Sequence, residues 1–424
     1  MEMLYLAIFI IVLLISIITG ISIVWALVAG YFIFFTYAIK KGKGFKEIMT
    51  ISLHGIYEAR NILTAFILIG MLTASWRASG TIASIICYAL PMIRPQWFLA
   101  AVFVINSLIS FLTGTSFGSA ATMGVICMTM ANAIGINPIL SGGAVLSGIF
   151  FGDRCSPVST SALLVADLTK TKVVDNIPGM MKTSILPFVI SLAAYWLLSL
   201  TAADIGTSSS SLSTIFYENF DINLPTLIPA LLMLILSILR LGTKKTMAVS
   251  IISALIICVF LQKMEIADIP SMLFFGFKSS TEELSAIMDG GGVTSMVNVA
   301  LIVALSSSFS GIFQETGMLD GIKEKIESAK TRPSVIITLI SAVTCMIACN
   351  QTLATMLTHQ LCSGLENDRR KMALALENTV IVISALVPWS IAGSVPLTVI
   401  GAPALSMAAA FYLFLLPICY MASK

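Results

Sequence analysis

The length of its apolar runs limits what this chain can fold into more than any other feature. A helix crossing hydrocarbon needs roughly 20 mostly apolar residues, and residues 4–19, 21–39, 62–78, 185–201, 222–239, 247–261, 293–312 and 405–421 are runs of that kind. Charged residues make up 11% of the chain, well under the about 25% of soluble domains. The expectation is an all-α integral membrane protein of the cell membrane, with the lipid bilayer as its solvent. The first run resembles a signal peptide only in length. Met1-Glu2-Met3 before it carries no positive charge and no small-x-small cleavage site follows, so it is read as a retained helix. The eight cysteines are scattered through apolar runs. Cys345 and Cys349 lie one helical turn apart, but there is no CxxC pair or Cys/His metal spacing, and they are read as packing residues. The net charge of +3 does not point to nucleic acid, because the basic residues fall in loops between the apolar runs.

Polar interruptions recur at one spacing. An offset of 237 residues places Gly80 on Gly317, Thr113-Gly114-Thr115 on Asn350-Gln351-Thr352, and Ser147 through Asp153 on Ser384 through Ser390. The reading is two repeats, residues 1–201 and 222–424, joined by an exterior linker at 202–221 that is rich in Ser and carries Asp204, Glu218 and Asp221. With five spans and one re-entrant hairpin per half and both termini in the cytoplasm, most basic residues face inward, as lysine and arginine prefer. These are Lys40/Lys41/Lys43/Lys46, Arg60, Lys170/Lys172/Lys182, Arg240/Lys244/Lys245, Lys323/Lys325/Lys330/Arg332, Arg369/Arg370/Lys371 and Lys424; Arg77, Arg94, Lys263 and Lys278 face out, and Arg154 lies within the membrane. An odd number of crossings per half inverts the second half. The expected architecture is therefore two inverted-topology repeats, about ten transmembrane helices plus two re-entrant hairpins, a plan used by secondary transporters.

Irregular backbone at membrane depth persists only where protein or a water-filled cavity surrounds it. Two breaks are expected in each half. The first hairpin has arms at 97–112 and 120–134 around Thr113-Gly114-Thr115-Ser116-Phe117-Gly118-Ser119, and the second turns at Asn350-Gln351-Thr352. The other breaks are Gly152-Asp153-Arg154-Cys155-Ser156-Pro157-Val158-Ser159-Thr160 and Pro388-Trp389-Ser390-Ile391-Ala392-Gly393. Broken helices present N–H dipoles to anions and carbonyls to cations. Candidate ion or solute ligands are accordingly Thr113, Thr115, Ser116, Asp153, Ser156, Ser159, Thr160, Asn350, Gln351, Thr352 and Ser390. Gly, Ser and Thr also serve as close-packing residues in membrane helices, which is the competing explanation for any one of them.

At these residues the sequence resembles the NhaC family of Na⁺/H⁺ antiporters. Gly114-Thr115-Ser116-Phe117-Gly118 matches the family's hairpin tip, and Ser147-Gly148 through Gly152-Asp153-Arg154-Cys155-Ser156-Pro157-Val158-Ser159 matches its most specific segment. Glu377 followed by Pro388-Trp389 matches its second half. The resemblance implies alternating access with Na⁺ and H⁺ as transported ions and no resident cofactor. It implies that Asp153 holds Na⁺. Where the family continues Asp-Thr-Thr-Asn, however, this chain has Thr160-Ser161-Ala162-Leu163, and Ser390 replaces the usual Asn after Pro-Trp. A missing carboxylate weakens a Na⁺ site and removes a proton carrier, so a cation- or proton-coupled exchanger of a small organic acid or amino acid is the alternative.

Intramembrane acids are costly and usually functional, which puts Asp153 first among coupling candidates. Arg154 is expected to be its ion-pair partner, with binding of a substrate carboxylate as the other option. Glu377, in an apolar helix at 373–386, is weighed between proton coupling and a helix-end carboxylate. His359 is weighed between titration and packing, and His54 is placed on an interfacial helix at 45–59. Gly114-Thr115-Ser116-Phe117-Gly118 formally fits the G-x-S-x-G elbow of hydrolases, but that motif needs a preceding strand and a histidine base. An aspartyl intramembrane protease would need Gly where Phe150 stands. A passive channel is a further alternative, and no G-x-x-x-x-G-K-[ST] nucleotide loop is present. A homodimer is compatible with the sequence, which does not specify one.

Overall fold

In a computed structural model, the described residues are 2–19, 21–89, 94–201, 209–239, 241–279, 281, 284–285, 288–316 and 332–422. Gly317, Asp204, Arg240, Lys323, Lys325, Lys330, Lys424 and the first part of the expected linker lie outside them. The described chain is helical, with one isolated bridge between Phe277 and Gly290. The helices used below are α1 (Glu2–Thr19), α2 (Ile23–Lys40), α3 (Phe45–Glu58), α4 (Arg60–Ala78), α5 (Phe98–Thr113), α6 (Pro138–Cys155), α7 (Thr160–Thr169), α8 (Val173–Thr201), α9 (Thr243–Phe260), α10 (Val297–Thr316), α11 (Pro333–Ala348), α12 (Gln351–Cys362), α13 (Arg369–Asn378), α14 (Ile391–Ile400) and α15 (Phe411–Ala422).

Among the described residues, three helices are long and apolar enough by themselves to cross a membrane: Ile23–Lys40, Pro95–Thr113 and Val173–Leu200. Counting two bent pairs as single spans raises the number to five. Pro95–Thr113 was expected as a hairpin arm too short to span, yet it has a span's length because Pro95–Trp97 adds a 3-10 turn ahead of α5. The outer surface is apolar: Phe260 is 78% exposed and Trp25 69%. Many small hydroxyl residues are buried instead, among them Ser107, Ser110, Ser147 and Ser341. This reversal of the soluble pattern fits a lipid-facing body whose helices pack through small residues.

The two expected halves interleave. One buried core joins Phe66, Phe103 and Phe150 to Ala230, Met247 and Ile251 from the later part of the chain. A second joins Phe9, Leu27 and Phe34 of α1 and α2 to Ile337, Ala348 and Leu376. Across the first core, Trp76 Nε1 on α4 donates to Ser250 Oγ on α9 at 2.9 Å.

Two backbone approaches are close enough to require glycine. A Cβ on Gly55 would lie 2.2 Å from the Ser307 carbonyl oxygen, and one on Gly70 would lie 2.5 Å from that of Gly292. The Gly292 N–H donates back to the Gly70 carbonyl at 2.8 Å. Adding 237 to 55 gives 292, and subtracting 237 from 307 gives 70, so one contact maps onto the other. The Gly55 contact also shows how α3, the helix read as interfacial, is held. It packs on α10, while its other face keeps His54 exposed. Gly55→Ala and Gly70→Ala should each cost about 1–3 kcal/mol or more through overpacking, whereas Gly44→Ala, with nothing within 4 Å, should be near neutral. Thermal unfolding in detergent checks the contrast.

Candidate functional site

Among the described residues, each of the four expected breaks is followed by a helix that a polar side chain caps. α5 ends at Gly114 in the left-handed region (φ +67°), after which the Thr115 hydroxyl accepts from Gly118 N. α11 ends at Cys349 (φ +56°), after which Asn350 Oδ1 accepts from Leu353 N at 2.8 Å. α6 stops at Cys155, and Ser159 Oγ caps α7 by accepting from Ser161 N and Ala162 N. Ser390 Oγ caps α14 through Ala392 N. A side-chain oxygen in this position satisfies N–H groups that the first helical turn leaves open. The corresponding caps are 235 residues apart (Thr115 to Asn350) and 231 apart (Ser159 to Ser390), so the single offset of 237 does not hold at the breaks. Helices of different length between them absorb the difference.

Each tip sits against the other break of its own segment. A Cβ on Gly114 would lie 2.9 Å from the Val158 carbonyl carbon and 3.0 Å from Ser159 N. Cys349 O accepts a hydrogen bond from Ile391 N at 2.8 Å. Three expectations about the breaks change here. Gly152 and Asp153 are helical, and Gly152 is a packing residue whose added Cβ would lie 2.3 Å from Phe111 N. Gly393 and Pro396 lie inside α14, and a Cβ on Gly393 would meet the Ala385 oxygen at 2.3 Å. Glu377 does not lie in a continuous helix at 373–386. α13 ends at Asn378, and Thr379 (φ −123°, ψ −85°) interrupts the run while its hydroxyl bonds back to Ala375 O at 2.7 Å.

Asp153, 3% exposed, is held by hydroxyls. Ser159 Oγ donates to Oδ1 at 2.9 Å and Ser161 Oγ to Oδ2 at 3.3 Å. The Ser116 hydroxyl, from the tip, lies near the same carboxylate. Ser161 was not foreseen. Its signal was its spacing, two residues beyond a capping serine, which turns both hydroxyls toward the same carboxylate. The Arg154 guanidinium points away, which corrects the expected ion pair. Consecutive helical side chains are about 100° apart, and Arg154 turns toward α8, α13 and α15. There Nε donates to Glu377 O (3.0 Å) and the terminal nitrogens to Met180 O (3.1 Å), Thr183 Oγ1 (2.8 Å), Asn378 Oδ1 (2.5 Å), Tyr412 OH (3.2 Å) and Ser184 Oγ. This fully buried cation is thus solvated by neutral oxygens from three helices. Glu377 is also fully buried, and neither of its carboxyl oxygens has a hydrogen-bond partner.

Beside the Asp153 cluster is a cavity of about 570 Å³ lined by Thr160, Asn350, Gln351 and Thr352, with Ser307, Phe117 and Ile391 among its other walls. The first residues of α7, α12 and α14 therefore face one space. Its size falls in the range of small-molecule sites, about 300–1,000 Å³. Gln351 is tied to the frame through Nε2 to Ile381 O at 3.0 Å. Two further candidates make hydrogen bonds within their own breaks. Thr113 shares a hydrogen bond with Ser119 Oγ (2.9 Å), and the Ser156 hydroxyl accepts from Val158 N (3.4 Å). His359 is in the last turn of α12 and does not line the cavity. The G-x-S-x-G segment follows a helix, so the elbow geometry of a hydrolase is not formed.

Helices that stop inside an apolar body with their capped ends turned toward a common space are how membrane carriers build a solute site, and the fold places this chain in that class. The sequence comparisons agree: a model described as the Na⁺/H⁺ antiporter family matches residues 1–166 and 148–422, and the chain belongs to that family. It is a secondary active antiporter, and the family is one of transporters rather than enzymes. It is similar to the malate-2H⁺/Na⁺-lactate antiporter of Bacillus subtilis, at 29% identity over 381 residues, 86% of this chain and 81% of that protein. It is also similar to the Na⁺/H⁺ antiporter NhaC of Alkalihalophilus pseudofirmus (25% over 386 residues, 88% and 84%) and to the arginine/ornithine antiporter ArcD of Halobacterium salinarum (25% over 355 residues, 80% and 73%).

Leaving a buried acceptor without its donor costs about 1–3 kcal/mol, and Arg154 serves several. Arg154→Gln should therefore lower thermal stability by an amount of that order. Ser159→Ala should cost about 1 kcal/mol as a lost cap. Melting curves of the two variants in one detergent give the comparison.

Proposed function

We propose that this antiporter exchanges Na⁺ for H⁺ by alternating access, with Asp153 as the carboxylate of the Na⁺ site and Glu377 as a proton carrier. The observation that carries the reading is the all-oxygen shell of Asp153, in which Ser159 and Ser161 from the break share one carboxylate and Ser116 of the first tip lies nearby. Hard cations take oxygen ligands, and when Na⁺ enters, these hydroxyls turn from donors to the carboxylate into ligands of the ion. A charged Glu377 in this conformation would be a buried anion without a donor, which is costly. The proposal gives it a proton here and lets it lose that proton in the opposite-facing state, where water reaches it. Coupling follows because each ion favours a different state.

The same reading takes the chain as two inverted repeats at 1–201 and 222–424, with about ten spans, two re-entrant hairpins and cytoplasmic termini in the cell membrane. The reciprocal Gly55–Ser307 and Gly70–Gly292 contacts and the paired caps support it. A second reading rests on the cavity. A space of about 570 Å³ whose largely apolar wall also carries amides, hydroxyls and three helix N-termini is large for a bare ion and of a size for a small organic carboxylate, and the similar malate-2H⁺/Na⁺-lactate antiporter is named for such solutes. In that case Asp153 still holds the coupling ion, and Thr160, Asn350, Gln351 and Thr352 face the solute.

Reconstitution with an internal pH dye tests both. Proton flux driven by Na⁺ alone supports the first reading, and flux that requires added malate, lactate or arginine supports the second. Asp153→Asn should abolish coupled flux while leaving the melting temperature within a few degrees of the parent; unchanged exchange in that variant would remove Asp153 from the site. Glu377→Gln should lose proton coupling and keep its fold, since an amide fits the same space. Retained pH-dependent exchange in Glu377→Gln would sink the proton assignment.

A further inference from the structure

Among the described residues, three side chains that carry a formal charge are buried: Asp153, Arg154 and Glu377. They share one neighbourhood. Asp153 and Arg154 are consecutive, Arg154 Nε donates to the Glu377 carbonyl oxygen at 3.0 Å, and the Glu377 carboxyl lies within electrostatic reach of both. The other ionisable groups facing Arg154 and Glu377 are the Cys155 thiol and the Tyr412 phenol, which are ordinarily neutral near pH 7. Arg154 keeps its charge, because a guanidinium does not give up its proton in a protein. Its carbonyl, amide and hydroxyl partners carry no charge to offset it. With both carboxylates ionised, two negative charges face one positive charge. A single added positive charge therefore makes the buried set neutral.

We propose that Arg154 is the fixed counter-charge that limits this set to one mobile cation at a time, so that Na⁺ at Asp153 and a proton on Glu377 exclude each other without sharing a ligand. The inference deepens the Na⁺/H⁺ reading above and rests on it. A proton on Glu377 balances the set when Asp153 holds no ion. When Na⁺ reaches Asp153, the set would carry a surplus positive charge inside an apolar body, where an unbalanced charge is costly. Glu377 then releases its proton to water and balance returns; the reverse exchange takes up a proton and expels Na⁺. Without Arg154 the two carboxylates would be neutralised together, one by each ion, and the ions would bind jointly instead of in turn. The geometry suits this part. The guanidinium is anchored in α8, α13 and α15 and turned away from the Asp153 carboxylate, so it contributes charge to the site without occupying a ligand position.

The test is Na⁺ binding to the purified full chain in weakly buffered detergent, by calorimetry, with a pH indicator counting protons. Near neutral pH the parent should release about one proton for each Na⁺ bound, since the buried set admits one added charge. Affinities are compared at mildly alkaline pH, where protons compete least. There Glu377→Gln, which has no proton to give, should bind Na⁺ about tenfold more weakly or worse, because the Arg154 charge is then left unbalanced. Adding Arg154→Gln to that variant should bring the affinity back toward the parent's, a recovery that a purely structural arginine would not produce. A melting curve establishes that the double variant is folded; should it fail to fold, the proton count and the Glu377→Gln affinity decide alone. Parent-like Na⁺ affinity in Glu377→Gln, or a folded double variant that binds more weakly still, overturns the counter-charge. Asp153→Asn binding Na⁺ and releasing protons as the parent does would instead overturn the Asp153 site itself, which keeps the two failures apart.

Discussion

The structure depends on satisfying backbone N–H and C=O groups where helices stop away from water. A buried, unpaired group of this kind costs as much as a lost hydrogen bond or more, so a helix can end inside the apolar body only with a local substitute. Thr115, Ser159, Asn350 and Ser390 supply it from their own side chains. The same short polar residues are then present, already oriented, where the proposed function places the transported ion. Ser159 shows how the tasks combine. Its oxygen accepts from the first turn of α7, and its proton goes to Asp153. A residue suited only to packing could do neither.

Close packing is the second condition, and it explains what the sequence could and could not reveal. The apolar runs and polar interruptions were legible because hydropathy and glycine or hydroxyl content act locally. The positions of the breaks were readable to within a few residues for the same reason. Gly152 and Gly393 were taken as break residues because glycine has two uses that look alike in sequence. Only the neighbouring Phe111 and Ala385 backbones show that they serve close approach. The direction of Arg154 was likewise hidden, since its partners Thr183, Asn378 and Tyr412 come from elements distant in the chain.

The interruption at Thr379 lay between these cases. A threonine in an apolar helix is ordinary, and its back-bond to Ala375 is a frequent and weak perturbation. Here it coincides with the Asn378 side chain that receives Arg154. The end of α13 is therefore defined by a tertiary contact as much as by local preference. The joining of early and late helices in one core was equally beyond sequence reasoning, because the apolar surfaces of α1, α2 and α9 do not say which neighbours they cover.

Asp153 and Arg154 are neighbours in sequence that face separate environments, one a pair of serine hydroxyls and the other a frame of three helices. This adjacency works like a bolt beside a latch. The peptide bond between them leaves little slack, so the carboxylate cannot travel with a moving hairpin while the guanidinium stays seated in α8, α13 and α15. Under the proposed mechanism, motion during transport then falls mainly to the tip that carries Ser116, moving past a carboxylate that stands still.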